Sequence, residues 1–544
     1  HYHSQLRGVI MKKIFRLVNK YLYQHFISIC ILFVAIILSS ICTLIIPIIS
    51  GNFVDYLVDE KKQQGIIFFC LLFAIVSIAN ILIGFLSNRI YTKVNLQILY
   101  EMGQSYIQHM QKMNVLYFSN KNISQITQQI SVDIKSVVDF FFDFFSNASI
   151  NFFKILIPAL LVFRISRGMC FLMLLLMLIY LISYIFFKQK LYATSYETKK
   201  NQNVYFGDLY EQLLKIKFIK IYSIMDWFNQ TIQKTFDQLL KVTMKFQVIQ
   251  YIYSGLDTAI MFIGQLGVFI IGGNMVIKGR ISIGEFTIIN TYFNMGITAV
   301  RYFFGLGKKK QETLVAYDRL NRIMEQEEEH FGEMLSDTIS EVRLHKLGFS
   351  INNKIILKDI ECKFDKGNSY AIVGKNGTGK TTLCNVLTGL YQDYTGVLKY
   401  NGVSAKRYDM EKLRKKRIAL IEQEPEMLQD TLYKNIALDL DIPKSLVQHL
   451  IKEWFDDTSF YDLDMKIKER SNNLSGGEKE KIAILRTLVR NPDIIIMDEP
   501  TASLDQNSCD RLESLILDNW KDKILIIITH DERMIHICDY KIQL

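Results

Sequence analysis

The stretch SYAIVGKNGTGKTTLCNVLTGL, residues 369–390, sets Gly374, Gly377 and Gly379 ahead of Lys380, Thr381 and Thr382. Glycines at these positions let the backbone N–H groups of the loop, those of Lys375, Asn376 and Thr378 included, wrap around phosphate oxygens. Lys380 would reach the outer phosphates of a nucleotide, and the Thr381 hydroxyl would ligate Mg2+. In PDIIIMDEP, two carboxylates follow an apolar run. Asp498 suits Mg2+, directly or through water, and Glu499 suits a general base that polarises the attacking water. Gln423, in LIEQEPEML, would complete the metal and water shell, and His530, at the end of ILIIITHDE, would touch the terminal phosphate. Taken singly these are weak signals. An Asp-Glu pair at a strand end is usually a solvated turn, a lone His is usually structural, and a lone Gln in a loop is usually just hydrated. Beside a phosphate loop the balance shifts toward catalysis.

A second anion-binding pattern lies about a hundred residues later, in NNLSGGEKEK. Ser475, Gly476 and Gly477 precede a predicted helix, whose N-terminus favours negative charge. One domain with one nucleotide has no evident need of two phosphate cradles.

Each catalytic candidate follows an apolar run of strand length, and a parallel sheet gathers its ligand groups along its carboxyl edge. An α/β nucleotide-binding domain is therefore predicted over 341–544, behind a polar linker at 326–340. The region 11–325 is different, being dominated by Ile, Leu, Phe and Tyr. Six apolar runs, near 26–50, 65–88, 137–163, 169–188, 247–274 and 282–306, are long enough to span about 30 Å of hydrocarbon as helices. Two long Lys-rich segments, 89–136 and 189–246, place themselves and the N-terminus on the cytoplasmic side. Arg164 and Arg167 on the opposite side oppose that assignment without reversing it. The net charge of +10 follows from this bias. It does not indicate nucleic-acid binding, because the soluble part lacks a basic patch with interleaved aromatics. None of the eight cysteines has CxxC or zinc-ligand spacing, which suits a reduced cytosol. Residues 1–10 precede a plausible start at Met11 and are expected to be a tag or upstream residues.

Within the third span Asp139, Asp143, Asn147, Asn151 and Lys154 recur every three or four residues, along one helix face. Ionisable groups in a span line a cavity or pair internally, and Asp257 in the fifth span is an expected partner for Lys154. Asn147, Asn151, Lys154 and Asp257 are thus candidate cavity residues. A helix-pairing network without cargo contact is an equal alternative.

The phosphate loop, the Gln423 loop, LSGGE, IIIMDEP, SLD and the His530 loop occur in the order found in ATP-binding cassette (ABC) transporters. MNVLYFSNKNISQITQQISVDIKSV, YFGDLYEQLLKIKFIKIYSIMD and GRISIGEFTIIN resemble the cytoplasmic loops and sixth span of ABC exporters. The resemblance covers nearly everything after Met11. It implies a type I exporter half-transporter: a bundle of six membrane helices fused to a cytosolic P-loop nucleotide-binding domain, embedded in lipid of the cytoplasmic membrane and working as a dimer with ATP and Mg2+. A homodimer is favoured because every motif of one site is intact; a heterodimer is the alternative. It also implies the use of the second cradle. Ser475, Gly476, Gly477 and Glu478 would cap the ATP on the partner's phosphate loop, with Asp505 crossing the junction and Glu469 and Arg470 touching the partner's extensions. Phe349 is expected to stack on adenine. Glu478 departs from the family's usual Gln. The chain stops soon after CDYKIQL, where the family usually continues into a last helix. Short coupling helices are expected near Leu116 to Asn120 and Phe206 to Glu211.

The function implied is ATP-driven export of an amphipathic or hydrophobic molecule, with a peptide favoured. A lipid translocase or multidrug exporter is one alternative, and an ATP-gated channel or regulatory ATPase another, which the intact Glu499 disfavours. With no peptidase domain ahead of the first span, leader trimming is not expected of this chain.

Overall fold

The computed structural model describes residues 15, 17–59, 63–119, 123–329, 332–333, 337–351, 354–375, 377–454, 462–468 and 473–544. They divide into two compact units. One runs up to Ile107 and resumes over Ser124–Glu325, and the other takes Gln108–Ile123 and Gln326–Leu544.

The first unit is helical. It comprises α1 (Phe26–Asp59), α2 (Gln63–Gln111), α3 (Ile123–Phe142), α4 (Ala148–Ile165), α5 (Arg167–Leu214), α6 (Ile216–Tyr222), α7 (Met225–Ile277) and α8 (Ile283–Met324). Among the described residues, five helical stretches are long and apolar enough to cross a membrane: Leu17–Asp59, Gly65–Gln111, Ile126–Ile165, Arg167–Leu214 and Met225–Ile277. The sixth expected span is the first half of α8, where Glu285, Asn290 and Asn294 dilute the apolar residues. It tolerates them because it is an inner helix. Its Ile288, Ile289, Tyr292, Phe293 and Ile297 are buried in the core of the unit, and its polar groups find partners there. The Tyr292 hydroxyl donates to the Leu44 carbonyl at 2.6 Å, and Gln265 donates to Asn290. By contrast Ile67, Phe68, Ile81, Leu82 and Phe85 of α2 are exposed, a surface suited to lipid.

The Lys-rich segments are helix extensions. At 1.5 Å per residue the 53 residues of α7 reach about 80 Å, far beyond a bilayer's hydrocarbon. The second expected coupling turn is misplaced by the sequence reading. Phe206 to Glu211 lie inside α5, which continues to Leu214. A lone Gly207 costs a helix only about 1 kcal/mol, too little to end it. The separate short helix is α6, closed by Ser223 in the left-handed conformation.

The second unit is α/β. A four-stranded antiparallel sheet has the order β2 (Lys354–Asp365), β1 (Glu341–Ile351), β4 (Thr395–Tyr400), β5 (Val403–Ser404). A parallel sheet has the order β6 (Ile418–Ile421), β7 (Ile494–Asp498), β8 (Ile524–Ile528), β3 (Asn368–Val373), β9 (Tyr540–Gln543). Every residue of β7 and β8 is buried, as expected for strands covered on both faces. Register then builds the site. Ile528 lies level with Ile372 on one side and Asp498 on the other, and Met497 lies level with Ile421. Gly374, Glu499, His530 and Gln423 therefore all emerge from one edge of the sheet. The first expected coupling turn is a 3-10 turn at Val115–Tyr117, capped by Asn114. Leu116 packs on this unit's core, and Asn114 donates to Asp393 at 3.3 Å.

Candidate functional site

The phosphate loop bends through left-handed glycines, Gly377 at φ 86° and Gly379 at φ 95°, which other residues rarely adopt. A Cβ on Gly379 would also sit 2.7 Å from the Leu357 side chain. Lys375 and Gly377 are exposed, the Thr378 hydroxyl donates to the Lys375 carbonyl at 3.0 Å, and Asn376 lies outside the described residues. α9 (Lys380–Leu387) starts at Lys380, which is buried. Its ammonium donates to the Gly374 carbonyl at 2.6 Å and lies 2.8 Å from Nε2 of His530. An ammonium only donates, so His530 accepts at Nε2 and carries its proton on Nδ1.

Thr381 donates to Oδ2 of Asp498 at 2.7 Å, and Gln423 donates from Nε2 to Glu499 at 3.2 Å. Thr381, Gln423, Glu422 and Asp498 line one cavity of about 380 Å3 beside the loop. Burial, and then the neighbouring Glu499 charge, push the Asp498 carboxyl above its ordinary range, while Thr381 and Lys380 pull the other way. Glu499 itself sits at φ 50°, costly for a side chain of that size. Its N–H donates to the Ile528 carbonyl at 2.8 Å. The backbone turn that separates the two carboxylates has no sequence signal. Thr382 follows within α9.

After α10 (Met410–Lys416), α11 (Leu432–Ala437) and α12 (Lys444–Trp454), Ser475 is the N-cap of α13 (Gly476–Arg490). Its hydroxyl accepts from the Glu478 N–H at 3.3 Å, and the Glu478 carboxylate accepts from the Ser475 N–H at 2.6 Å. Glu478 closes this capping box, a role that Gln fills as well, and S-x-x-E could have been read from the sequence. A Cβ on Gly477 would lie 2.8 Å from the Ser503 carbonyl, so close packing already requires a glycine there. Glu480, one turn into α13, is buried. Its two oxygens lack a well-formed hydrogen bond. Burial pushes its carboxyl up to about 7, against a weaker opposite pull from Ser503. The sequence reading passed over it. Asp505 caps α14 (Gln506–Asp518), accepting from the Ser508 N–H at 2.7 Å. Glu469 and Arg470 lie outside the described residues.

Phe349 departs from expectation. It is 2% exposed, inside the core, and stacks on Tyr391 at 5.1 Å between ring centres. Its faces are taken by protein, so it offers no platform to a base. Strict alternation from Val342 and Leu344 would turn Phe349 outward, but a register shift between Leu344 and Leu347, beside Lys346 at φ 47°, brings Leu347 and Phe349 onto the core face.

In the helical unit the polar stripe is not a continuous face. A π-helical turn at Asp143–Asn147 interrupts it. Asp139 accepts from Asn95 at 3.1 Å. Asp143 accepts from Lys309 at 2.5 Å, Asn147 at 2.6 Å and the Tyr302 hydroxyl at 3.2 Å. Asp257 pairs with Arg301 at 2.6 Å rather than with Lys154. Arg301 lay within the expected sixth span and had been overlooked as a competitor. Arg319 likewise pairs with Asp133. Asn151 donates to the Asn147 carbonyl at 2.8 Å. Lys154 has no ion-pair partner among the described residues.

Residues 29–300 match the family described as ABC transporter transmembrane region, and residues 357–502 the family described as ABC transporter. A Rickettsia bellii protein named as an export ATP-binding/permease protein is 26% identical over 91% of this chain and 89% of its own. The lactococcin-G-processing and transport ATP-binding protein LagD of Lactococcus lactis is 27% identical over 66% of this chain, which spans about half of that relative, 52%. The transport/processing ATP-binding protein ComA of Streptococcus pneumoniae is 24% identical over 91% of this chain and 71% of its own. Among solved structures, a bacterial Atm1-family ABC exporter with ATP bound shares the fold, with TM-score 0.84 at 18% identity over 95% of this chain and 94% of that one. The chain thus belongs to the ABC transporter family, as an exporter-type half-transporter of the membrane that fuses its spanning helices to an ATP-hydrolysing cytosolic domain.

Proposed function

We propose that two copies of this chain form an exporter that hydrolyses two ATP molecules, each clasped between one copy's phosphate loop and the other's Ser475–Glu478 turn. One observation carries this reading. Lys380 with His530, Thr381 with Asp498, and Gln423 with Glu499 form three hydrogen-bonded pairs along one sheet edge, whereas Ser475 and Glu478 bond to each other and no hydrogen bond among the described residues ties them to those pairs. A cradle with free N–H groups and no phosphate of its own fits a ligand held by another copy.

The donors at Thr381, Asp498 and Gln423 are hard oxygens, the type Mg2+ prefers. Among the described residues no group of three or more His, Cys, Asp or Glu could hold an ion unaided, which fits an ion that arrives on the nucleotide's phosphates. When bound it supplies charge neutralisation at the oxygens that change charge during hydrolysis. Glu499 takes a proton from the attacking water, Gln423 orients that carboxylate, and Lys380 and His530 hold the terminal phosphate. ATP favours the closed pair of domains, and hydrolysis removes that preference. The cargo is an amphipathic or hydrophobic molecule, a peptide ahead of a lipid or drug. The names of LagD and ComA, which join processing to transport, support the peptide.

Mixing Lys380→Ala chains with Ser475→Asp chains tests the arrangement. Aspartate keeps the helix cap but repels phosphate. Each variant alone should be inactive, while random pairing leaves about a quarter of composite sites intact in a two-fold dimer. No recovered ATPase on mixing would overturn the shared site.

A further inference from the structure

We propose that Lys154 is the anchor for a carboxylate on the exported molecule. The proposal rests on the exporter reading above and names the chemistry its pathway would recognise.

Depth is the first ground. Lys154 precedes the end of α4 at Ile165 by about 16 Å of helix, and Arg164 and Arg167 mark that end as a membrane boundary, so Lys154 lies near the middle of about 30 Å of hydrocarbon. Asp257 precedes the end of α7 at Ile277 by about 30 Å, which puts it near the opposite boundary. Lys154 and the acid that charge counting assigns to it thus lie at different depths.

Occupancy is the second. Asp257 is held by Arg301 and Asp143 by Lys309, while Asp139 is bonded by Asn95. Each acid of the stripe and of the fifth span already has a partner. Lys154 is left as a cation at mid-depth without an ion pair among the described residues, and a charge in that position requires an anion or water.

Direction is the third. The exposed apolar side chains of α4 are Phe152, Phe153, Leu156, Leu160 and Phe163, which fall within one 100° arc. Lys154 and Asn151 lie roughly 150° from the centre of that arc on a 3.6-residue helix, away from the lipid-facing side. Both are half-buried. The cation therefore faces the interior of the bundle, where a cargo would pass. A carboxylate pairs with it there and is desolvated in return for a strong charge-assisted hydrogen bond.

The test uses the full chain in nanodiscs of phosphatidylcholine. Two probe pairs are titrated against ATPase activity: an apolar decapeptide with a free C-terminal carboxylate against its C-terminal amide, and oleate against oleamide. In wild type the carboxylate member of a stimulating pair should act at a concentration at least about tenfold lower than its amide. Lys154→Gln should bring that ratio close to one, Lys154→Glu should reverse it, and Lys154→Arg should keep it. Stimulation by oleate alone would retain the assignment of Lys154 but end the peptide reading. A ratio unchanged in Lys154→Gln, or no response to any of the four probes, would overturn the assignment. So would a Lys154 dependence seen only on adding phosphatidylglycerol, which would make the anion a lipid headgroup.

Discussion

The ammonium of Lys380 lies 2.8 Å from Nε2 of His530 and donates to the carbonyl of Gly374 at 2.6 Å. Two groups that would meet the terminal phosphate thus hold each other in advance, which limits the ordering that remains when nucleotide enters. The same edge presents Gln423 to Glu499 at 3.2 Å. The site is set up by strand ends in register, and its chemistry can be probed one residue at a time.

Glu499→Gln should lower kcat for ATP by about 10²- to 10⁴-fold, the usual worth of a positioned general base, and should leave ATP binding intact. Phosphate release together with equilibrium nucleotide binding checks this. Near wild-type turnover would remove Glu499 from the role of base.

Phe349→Ala should destabilise the soluble unit by about 3–5 kcal/mol, the usual cost of emptying a buried aromatic site. The KM for ATP of the protein that remains folded should stay the same. Thermal unfolding alongside ATPase kinetics separates the two effects. A large rise in KM without loss of stability would restore Phe349 as a base platform.

Glu480 should give the soluble unit a pH-dependent stability. Its folded carboxyl titrates at about 7, above the ordinary 4.5. The folded state therefore holds a proton that the unfolded state has lost, and stability falls as pH rises between those values and levels off above. Glu480→Gln should flatten that slope and stabilise the unit above pH 7. Denaturant titrations from pH 5 to 8 read this directly, and an unaltered slope in the variant would refute it.

The Asp257–Arg301 pair predicts a charge-swap rescue. Asp257→Arg and Arg301→Asp should each reduce the yield of folded transporter, because each places two like charges side by side near the membrane boundary. The double exchange should recover most of it. Recovery is scored by monodisperse protein after size exclusion, and equal loss in the double variant would show that the two residues act separately.

Much of this was legible in the sequence wherever local pattern decides the outcome. The phosphate loop, the carboxylates after IIIM and the histidine after ILIII announce themselves because strand, glycine turn and helix are contiguous. The expected spans, the run at 282–306 included, follow from apolar length, and the polar groups Tyr292 and Asn290 within the last are partnered by Leu44 and Gln265. What could not be read depends on contacts between distant segments. The choice of Arg301 over Lys154 by Asp257 is set by how α7 and α8 pack, and the left-handed turn at Glu499 by how β7 meets β8. Two expectations taken from the family resemblance did not hold: a register shift in β1 turns Phe349 into the core, and α5 runs through Phe206 to Leu214.

The π-helical turn at Asp143–Asn147 has a last consequence. Its wider ring offsets the residues beyond it from those before it, so one span presents two faces: Asp139 is bonded by Asn95, while Asp143, inside the turn, is held by Lys309, Asn147 and the Tyr302 hydroxyl.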